Sequence, residues 1–225
     1  MTDYTLYYWP IPFRGHFVRM VLAQVGAHWD EPGQEAIAAL RLAADQPYPF
    51  MAPPLLVDHA TGQSLSQLPA ILMALGRRHG LIGDPDETLR LICDAMDVLL
   101  EITRCHGAQM WDHAAWADFV GRRLPRWLSL HERIVAGRVE AGFLGGEAPG
   151  LADLVLTALW HTMADRLPGM RALMVPHAPT VLALVDRVAT TAPIAALIGD
   201  WRDRRPLYCA GQIEASILAM LDSGD

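Results

Sequence analysis

The stretch YYWPIPFRGHFVRMVLAQVG at residues 7–26 decides the fold of the N-terminal part of the chain. Aromatic and β-branched residues over 4–8 predict a strand. The two prolines and one glycine of WPIPFRG predict a loop. From His16 onward, apolar residues recur every three or four positions, which predicts a helix that stops at Gly26. The segment therefore predicts a strand, a loop and a helix in close succession.

The segment APPLLVDHATGQSLSQLPAILMALG at residues 52–76 extends this pattern. Residues 55–57 predict a short strand, DHATGQ a turn and residues 64–66 a return strand, which together make a hairpin. Pro69 suits the first turn of a following helix, where its missing N–H costs nothing. Between the two segments, AHWDE predicts a weak strand and residues 34–44 a short helix. The order β-α-β-α-β-β-α indicates a small α/β sheet with helices on its faces.

The segment HGLIGDPDE marks a change of pattern, because strand signals disappear after it. Periodic apolar residues predict helices over 87–106, 112–138, 151–166, 178–191 and 211–222. We therefore expect an α/β domain over 1–78, a linker over 79–86 and an all-helical domain over 87–225.

These segments together resemble the cytosolic glutathione transferase superfamily over essentially the whole chain. The family pattern is a strand that ends in Tyr or Ser, a loop and a helix, followed by a P-x-L-x-D strand and a Gln/Glu-Ser-x-A-I-L helix start. FLGGEAPGLADLVLTALW at 143–160 resembles a later helix start of the family, with Asp153 as the capping aspartate. The resemblance implies a thioredoxin-like domain followed by a helical bundle. The tyrosine-type classes (mu, pi and sigma) match the first segment best.

The resemblance implies that Tyr8 is the catalytic hydroxyl. Such enzymes ionise the cysteine thiol of bound glutathione, and a hydroxyl that donates a hydrogen bond to the sulfur lowers the thiol pKa. Tyr7 is the alternative if the register slips by one residue. Since side chains alternate along a strand, only one of the two can reach the site. Tyr8 precedes the Trp-Pro loop as the family tyrosine does.

A Pro-Pro step stands where the family has its cis-proline. Pro54 fits P-x-L-x-D best, and the preceding residue of the family pairs through its N–H and C=O with the cysteinyl unit of glutathione. Here that residue is Pro53, which has no N–H. If Pro53 is the cis residue instead, Ala52 makes the contacts.

The implied site for the γ-glutamyl end also departs from the family. Gln67 and the backbone N–H of Leu68 are the implied contacts, and Leu68 stands where the family has a serine. The chain contains no lysine for the glycyl carboxylate, so Arg14 or Arg41 is the substitute. In related dimers an acid on the first long helix reaches the glutathione of the partner, which points to Asp97. We therefore expect glutathione binding weaker than the family norm.

The implied acceptor pocket lies between the two domains, among the tyrosine loop, the first long helix and the C-terminal tail. Its candidate residues are Pro10, Phe13, Arg104, His106, Met110, Trp111 and Tyr208. As helix neighbours Cys105 and His106 would point apart, which argues against a Cys-His nucleophile pair. His106 and His113 have no third ligand in register, so no metal site is expected.

Composition limits the partners. The formal net charge of −7 argues against a nucleic-acid partner. No apolar run reaches the roughly 18 residues of a membrane span. The N-terminal segment MTDYTLYYWP lacks the basic region of a signal peptide, and three cysteines without metal spacing indicate free thiols. We expect a cytoplasmic protein.

The resemblance implies a homodimeric enzyme that adds glutathione thiolate to a small electrophile. Two alternatives stay open on the sequence. The first is a specialised or glutathione-independent lyase or isomerase, for which the missing serine and lysine are adaptations. The second is a non-catalytic binding module on the same scaffold.

Overall fold

The computed structural model describes residues 2–139, 142–204 and 207–222. Its N-terminal part contains a mixed four-stranded sheet with the order β2-β1-β3-β4. The strands are β1 (Tyr4–Tyr7), β2 (Trp29–Asp30), β3 (Leu55–Asp58) and β4 (Ser64–Ser66). β1 pairs in parallel with β2 and antiparallel with β3, and β3 and β4 form the hairpin. The predicted strands and the hairpin are confirmed.

Three helices accompany the sheet at the places that the sequence pattern predicts, although the first begins at Phe13, inside the predicted loop, and not at His16. They are α1 (Phe13–Gln24), α2 (Gln34–Leu42) and α3 (Leu68–Arg78). α1 packs against α3 and against the helical half of the chain. Most of its apolar side chains, such as Phe17 and Val21, are at most 1% exposed. As predicted, Pro69 stands in the first turn of α3. Because α1 is buried on several sides, the loop that precedes it is held rigidly over the end of β1.

The rest of the chain is helical, and no strand was found among its described residues beyond position 87. Its helices are α4 (Pro85–Ile102), His113–Asp118, Leu124–Val135, Leu151–Leu156, Thr162–Arg166, Met170–Met174, Pro179–Ala189, Ala192–Arg204 and Gly211–Asp222. Two π-helical turns, Phe119–Arg123 and Thr157–His161, join consecutive helices of this set.

Sequence patterns missed two helices and misplaced the end of another. Met170–Met174 is too short to show a period, and Ala192–Arg204 was missed because Pro193 was interpreted only as a breaker. A proline in the first turn of a helix is tolerated. The predicted helix over 87–106 was too long, since α4 ends at Ile102.

The chain leaves α4 through a left-handed turn. Arg104, Cys105 and His106 have φ values of +47°, +56° and +58°, and Gly107 follows at +79°. The prediction that Cys105 and His106 are neighbours on a regular helix is therefore wrong. Each non-glycine residue in this region costs about 1–3 kcal/mol of backbone strain. The turn is stabilised locally, since the N–H of Gly107 donates to the carbonyl of Thr103 at 2.7 Å.

Asp153 supports the start of the helix Leu151–Leu156. Its carboxylate is fully buried and accepts hydrogen bonds from the N–H groups of Leu144, Gly145 and Gly150 at 2.8–2.9 Å. The predicted capping role is confirmed. No single described helix has the length and hydropathy of a membrane span, and the one pair of helices that does so jointly is bent by 89°.

Candidate functional site

A cavity of about 300 Å³ opens where β1 ends, between the sheet and the helical half of the chain. It is lined by Tyr8, Trp9, Ile11, Phe13, Arg14, Ala52, Pro53, Thr103, His106, Cys209, Ala210 and Ile213. Most of this lining is apolar, and few polar groups converge on it. Such a composition is typical of small-molecule sites, in which a few polar groups orient a largely apolar ligand. We refer to it as the Tyr8 cavity.

Tyr8 follows β1 directly, and its hydroxyl is oriented by the backbone. The side chain is 5% exposed, and its oxygen accepts a hydrogen bond from the N–H of Arg14 at 3.1 Å. Burial raises the pKa of Tyr8 above its ordinary value, although that N–H and the charges of Arg14 and Arg19 oppose the rise. The phenol therefore stays neutral at physiological pH. With one lone pair occupied, its own proton is available to donate to a ligand.

Arg14 brings a positive charge into the same cavity. Its side chain is half-buried, and burial lowers the pKa of the guanidinium. Within the described part of the chain, no carboxylate lies within 4.0 Å of Arg14 and its buried Nε has no hydrogen-bond partner. A half-buried cation without an anionic partner is costly unless a ligand supplies the anion. The cavity is therefore suited to a ligand with a negatively charged group.

A buried ion pair holds the wall behind Tyr8. Arg19 is fully buried and donates to Glu31 from Nε at 2.8 Å and from Nη2 at 2.6 Å. Its guanidinium also donates to the carbonyls of Trp9 and Ile11 in the loop before α1. A Cβ atom on Gly15 would lie 2.4 Å from Arg19 Nη1 and 2.4 Å from the Tyr8 ring. Glycine is thus required for α1 to approach both side chains.

The C-terminal segment forms one side of the cavity, through Cys209, Ala210 and Ile213. Tyr208 packs edge-to-face on Phe13 with ring centroids 5.7 Å apart. Glu214, which is 5% exposed, accepts hydrogen bonds from the N–H groups of Tyr208 and Cys209 at 2.6 and 2.9 Å. Burial and the nearby Glu214 raise the pKa of the Cys209 thiol to about 12. Cys209 therefore stays a neutral thiol in the cavity wall, poorly suited to act as a nucleophile.

His106 reaches the Tyr8 cavity from the left-handed turn. His106 is exposed as a whole residue, and partial burial of its ring together with the charge of Arg14 lowers the pKa of the imidazole below its ordinary value. Arg104 and Cys105, on the same turn, line a different groove of about 440 Å³ on the helical half. The strained backbone thus directs one of three consecutive side chains into the Tyr8 cavity.

The Pro-Pro step lies at the edge of the same cavity. The peptide bond between Pro53 and Pro54 is cis, so Pro54 is the cis residue. Pro53 lines the cavity, whereas Pro54 is buried. Arg41, the alternative to Arg14, lies on α2 with its guanidinium 6.0 Å from the ring centroid of Trp9.

The start of α3 lies outside the Tyr8 cavity. Gln67 is exposed and has a left-handed backbone with φ of +68°. The side chain of Leu68 is 2% exposed and belongs to the hydrophobic core. At the position where the resemblance implied a serine, the side chain therefore packs in the core and does not line the Tyr8 cavity.

The remaining predicted residues are distributed around the cavity. Pro10 lines an adjoining cavity of about 360 Å³, of which Tyr8 is also a wall. Trp111, like Arg104, lines the groove on the helical half, where it packs against Trp116 with centroids 5.1 Å apart. Met110 is 40% exposed, and Asp97 is exposed on α4. The structure thus brings Tyr8, Phe13, Arg14, Pro53 and His106 together and leaves the others outside.

The sequence analysis did not name six residues of the cavity lining, and two of these carry a hydroxyl or a thiol: Thr103 and Cys209. Thr103 falls within the stretch predicted as helix, where nothing marked its hydroxyl as functional. Cys209 follows Tyr208, which was predicted, but a lone cysteine carries no spacing signal. Among the described residues, no three His, Cys, Asp or Glu side chains are grouped as metal ligands.

Comparison with known proteins gives a consistent result. Residues 87–220 match a family model described as the glutathione S-transferase C-terminal domain. The chain is 26% identical over 212 residues to glutathione S-transferase P 1 of Xenopus laevis, covering 92% of this chain and 97% of the relative.

Solved structures show the same fold. The Pi-class glutathione S-transferase of Onchocerca volvulus superposes with a TM-score of 0.75 at 18% identity, covering 94% of this chain and 99% of that one. The glutathione S-transferase of Ascaris lumbricoides superposes with a TM-score of 0.69 at 23% identity, covering 88% and 97%.

Proposed function

The chain belongs to the glutathione S-transferase family, and from that premise we propose that it adds the thiolate of glutathione to a small electrophile. The observation that carries the proposal is the pairing of Tyr8 and Arg14 in one cavity. The N–H of Arg14 orients the neutral Tyr8 hydroxyl at 3.1 Å, and the guanidinium of Arg14 offers a charge for a carboxylate. A hydroxyl donor stabilises the thiolate of a peptide such as glutathione, and a cation binds one of its carboxylates.

The chemistry at Tyr8 is stabilisation of the glutathione sulfur as an anion. A free thiol of this kind has a pKa of roughly 8.5–9, so only a few per cent is thiolate at neutral pH. A hydrogen bond that favours the anion by about 2 kcal/mol lowers this pKa by about 1.5 units. The bound thiol is then mostly ionised near pH ~7.5. The sulfur forms the new bond to the electrophile, and the thiol proton goes to water.

Glutathione would be held across several elements. Arg14 binds a carboxylate, the carbonyl beside the Pro53–Pro54 bond accepts from the cysteinyl unit, and Gln67 with the N–H of Leu68 contacts the γ-glutamyl end. The first N–H groups of a helix have no partner within the helix and attract a carboxylate. Because the serine hydroxyl and the Pro53 N–H are lacking, we propose a dissociation constant in the millimolar range.

We also propose a cytoplasmic homodimer in which residues 1–78 bind glutathione and residues 87–225 supply much of the acceptor pocket, with 79–86 as linker. Asp97, exposed on α4, would reach the glutathione of the other protomer. Sedimentation at micromolar concentration is expected to give about 50 kDa, twice the 24.8 kDa of one chain. A single species at the monomer mass contradicts the dimer.

The test of the proposed function is a pH series with two matched variants. Tyr8→Phe should retain the fold but reduce turnover of glutathione with 1-chloro-2,4-dinitrobenzene about tenfold or more, since about 1.4 kcal/mol of transition-state stabilisation corresponds to tenfold. Its pH–rate profile should move to higher pH. Tyr7→Phe should change neither, because Tyr7 does not line the cavity.

Two results would count against this mechanism. Full activity of Tyr8→Phe with an unchanged pH midpoint removes Tyr8 as the activating group. Absence of any glutathione-dependent turnover by the parent protein, at glutathione concentrations well above millimolar, contradicts the proposed function itself.

A further inference from the structure

The Tyr8 cavity carries a single permanent charge in its described lining. Arg14 supplies this charge, and the described lining contains no aspartate, glutamate or second arginine. The buried Nε of Arg14 has no hydrogen-bond partner among the described residues. A cation in a largely apolar cavity is costly unless an anion pairs with it. The cavity therefore favours a ligand with one carboxylate and disfavours a ligand that brings an ammonium group.

The hydroxyl that would activate a thiol lies close to this charge. The N–H of Arg14 donates to the Tyr8 hydroxyl at 3.1 Å, and both residues line the same cavity. Burial raises the pKa of the Tyr8 phenol, and the charge of Arg14 opposes that rise, so the two groups are within electrostatic reach of each other. A sulfur held at Tyr8 and a carboxylate held at Arg14 must therefore be close together in the ligand.

Glutathione brings more polar groups than this cavity can satisfy. Besides its thiol and one carboxylate it carries a second carboxylate, an ammonium group and two amides. Pro53 in the lining has no N–H to donate to an amide carbonyl, and Gln67 and Leu68 lie outside the lining. A polar group that is desolvated without a partner weakens binding. The remote parts of glutathione therefore add little to its affinity for this cavity.

We propose that the Tyr8 cavity accepts compact thiol acids as cosubstrates in place of glutathione, namely molecules in which two carbons separate a thiol from a carboxylate and which carry no amino group. This inference rests on the proposed function, because it uses the same hydroxyl, the same cation and the same reaction. A ligand as small as 3-mercaptopropionate reaches a dissociation constant in the millimolar range well below the ceiling of ligand efficiency. That is the range proposed for glutathione itself.

The reaction balances without a further reactant. The Tyr8 hydroxyl donates a hydrogen bond to the sulfur, which lowers the thiol pKa, and the thiol proton goes to water. The sulfur then bonds to the chlorine-bearing carbon of 1-chloro-2,4-dinitrobenzene, and the electron pair of the C–Cl bond leaves with chloride. Arg14 holds the carboxylate and takes no part in bond making. The products are a thioether acid, chloride and a solvated proton.

The experiment compares 3-mercaptopropionate, its methyl ester and glutathione, each with 1-chloro-2,4-dinitrobenzene. The acid and the ester share the thiol chain, but only the acid is charged. Each kcat/KM is divided by the uncatalysed rate constant of the same thiol, which removes differences in intrinsic reactivity. We expect the acid to lie within about tenfold of glutathione and about tenfold or more above the ester, the effect of one charge-assisted hydrogen bond, and to differ from the ester mainly in KM.

Three variants test the assignment. Arg14→Gln keeps the backbone N–H that orients Tyr8 but removes the charge, so it should lower the acid to the level of the ester and leave the ester nearly unchanged. Tyr8→Phe should lower the acid and the ester together, since both need the donor to sulfur. Arg133→Gln removes an exposed arginine outside the cavity lining and should change neither. Thermal unfolding checks that all variants fold.

Three outcomes overturn the inference while leaving the proposed function in place. They are turnover of glutathione with the acid below about one-hundredth of it, equal values for the acid and the ester in the parent, and equal losses for both in Arg14→Gln. Turnover of the acid without any turnover of glutathione overturns the proposed function and leaves the thiol acid as the cosubstrate. Turnover of neither overturns both.

Discussion

Two walls of the proposed glutathione site, which extends from the Tyr8 cavity to the start of α3, differ in how completely their polar groups are satisfied. On the β1–α1 side, the Tyr8 hydroxyl has the Arg14 N–H at 3.1 Å, and Arg19 behind it has the two oxygens of Glu31 and two loop carbonyls. On the opposite side, Pro53 offers no N–H and Leu68 places its side chain in the core. The first wall is built from buried hydrogen bonds, and the second has replaced polar groups by apolar ones.

The contrast separates two tasks of the site. One is activation of the glutathione thiol, and the other is binding of the rest of the glutathione molecule. A group that stabilises the thiolate acts on the reacting atom, whereas contacts to remote parts of glutathione determine mainly how much of it is bound. A chain that retains the first wall and weakens the second should react well once glutathione is bound, but bind it poorly. The three predictions below test each wall in turn.

A large effect is expected at Arg19. In Arg19→Met, the carboxylate of Glu31 and the carbonyls of Trp9 and Ile11 lose the hydrogen bonds that Arg19 donates. Glu31 keeps the indole N–H of Trp29 at 2.9 Å, and the Trp9 carbonyl keeps the N–H of Ile11 at 2.8 Å. Removal of one partner of a buried ion pair costs about 3–5 kcal/mol. The side chain of Glu31 is 23% exposed and regains some water, so we expect a fall of about 3 kcal/mol in the free energy of unfolding, measured by urea denaturation.

A surface ion pair provides the control for Arg19. Arg122 and Asp118 are spaced i, i+4 with side chains 71% and 53% exposed. Pairs of this kind contribute less than about 1 kcal/mol, so Arg122→Met should be close to neutral. If Arg19→Met were equally neutral, the β1–α1 wall would not depend on its buried network, and the contrast between the two walls would lose its basis.

Leu68 tests the other wall through two quantities that should move in opposite directions. The Leu68 side chain lies in the core, but in Leu68→Ser the shorter side chain is free to turn its hydroxyl toward a γ-glutamyl carboxylate bound at the N–H of residue 68. A hydrogen bond to a charged group is worth about 1.5–3 kcal/mol. Calorimetry should therefore show glutathione binding about tenfold tighter or more. The same change removes a buried leucine, so stability should fall by about 2–5 kcal/mol.

Leu68→Ala distinguishes the two effects. It creates a comparable cavity without a hydroxyl, so it should lose similar stability and gain no affinity. Equal affinities of the Ser and Ala variants would show that position 68 does not face glutathione. Micromolar binding of glutathione by the parent protein would contradict the prediction of weak glutathione binding.

The sequence predicted most of the fold because its signals are local. Turn residues and apolar periods predicted the strands, the hairpin and most helices. The family motifs pointed to Tyr8, Arg14 and the Pro-Pro step, which the structure brings together at one cavity. The left-handed turn after Ile102 could not be predicted, since TRCHGA contains no residue that demands three positive φ values before its glycine. Tertiary contacts from Trp111 and the C-terminal helix impose that turn.

Site prediction was limited for the same reason. Residues far apart in sequence, such as Thr103 and Cys209, meet at the cavity through packing of helices that carry no common motif. Arg19 looked like any polar residue of an amphipathic helix, although it is fully buried. Its role depends on Glu31, which belongs to the loop after β2, and pairing between separate elements leaves no periodic signal.

The smallest effect concerns the pH dependence of the β1–α1 wall. His16 on α1 is 2% exposed, its Nδ1 lies 3.3 Å from Nη1 of Arg19, and its ring packs edge-to-face on Trp201. Burial, together with the charges of Arg19 and Arg166, lowers the pKa of His16 well below its ordinary value of 6.5. Folded protein therefore keeps this ring neutral, whereas the unfolded chain takes up a proton as the pH falls below 6.5. Because the unfolded state then binds more protons, the free energy of unfolding should decrease with falling pH, by about 1.4 kcal/mol from this group at pH 5.5.

His16→Gln cannot titrate, so the difference in stability between pH 7.5 and pH 5.5 should shrink by about that amount relative to the parent. His28, whose side chain is 84% exposed, serves as the control, because His28→Gln removes an imidazole outside this buried packing and should change the difference less than His16→Gln does. Identical pH dependence in the parent and His16→Gln would mean that the wall accommodates a charged imidazole, which is incompatible with the tightly satisfied packing around Arg19.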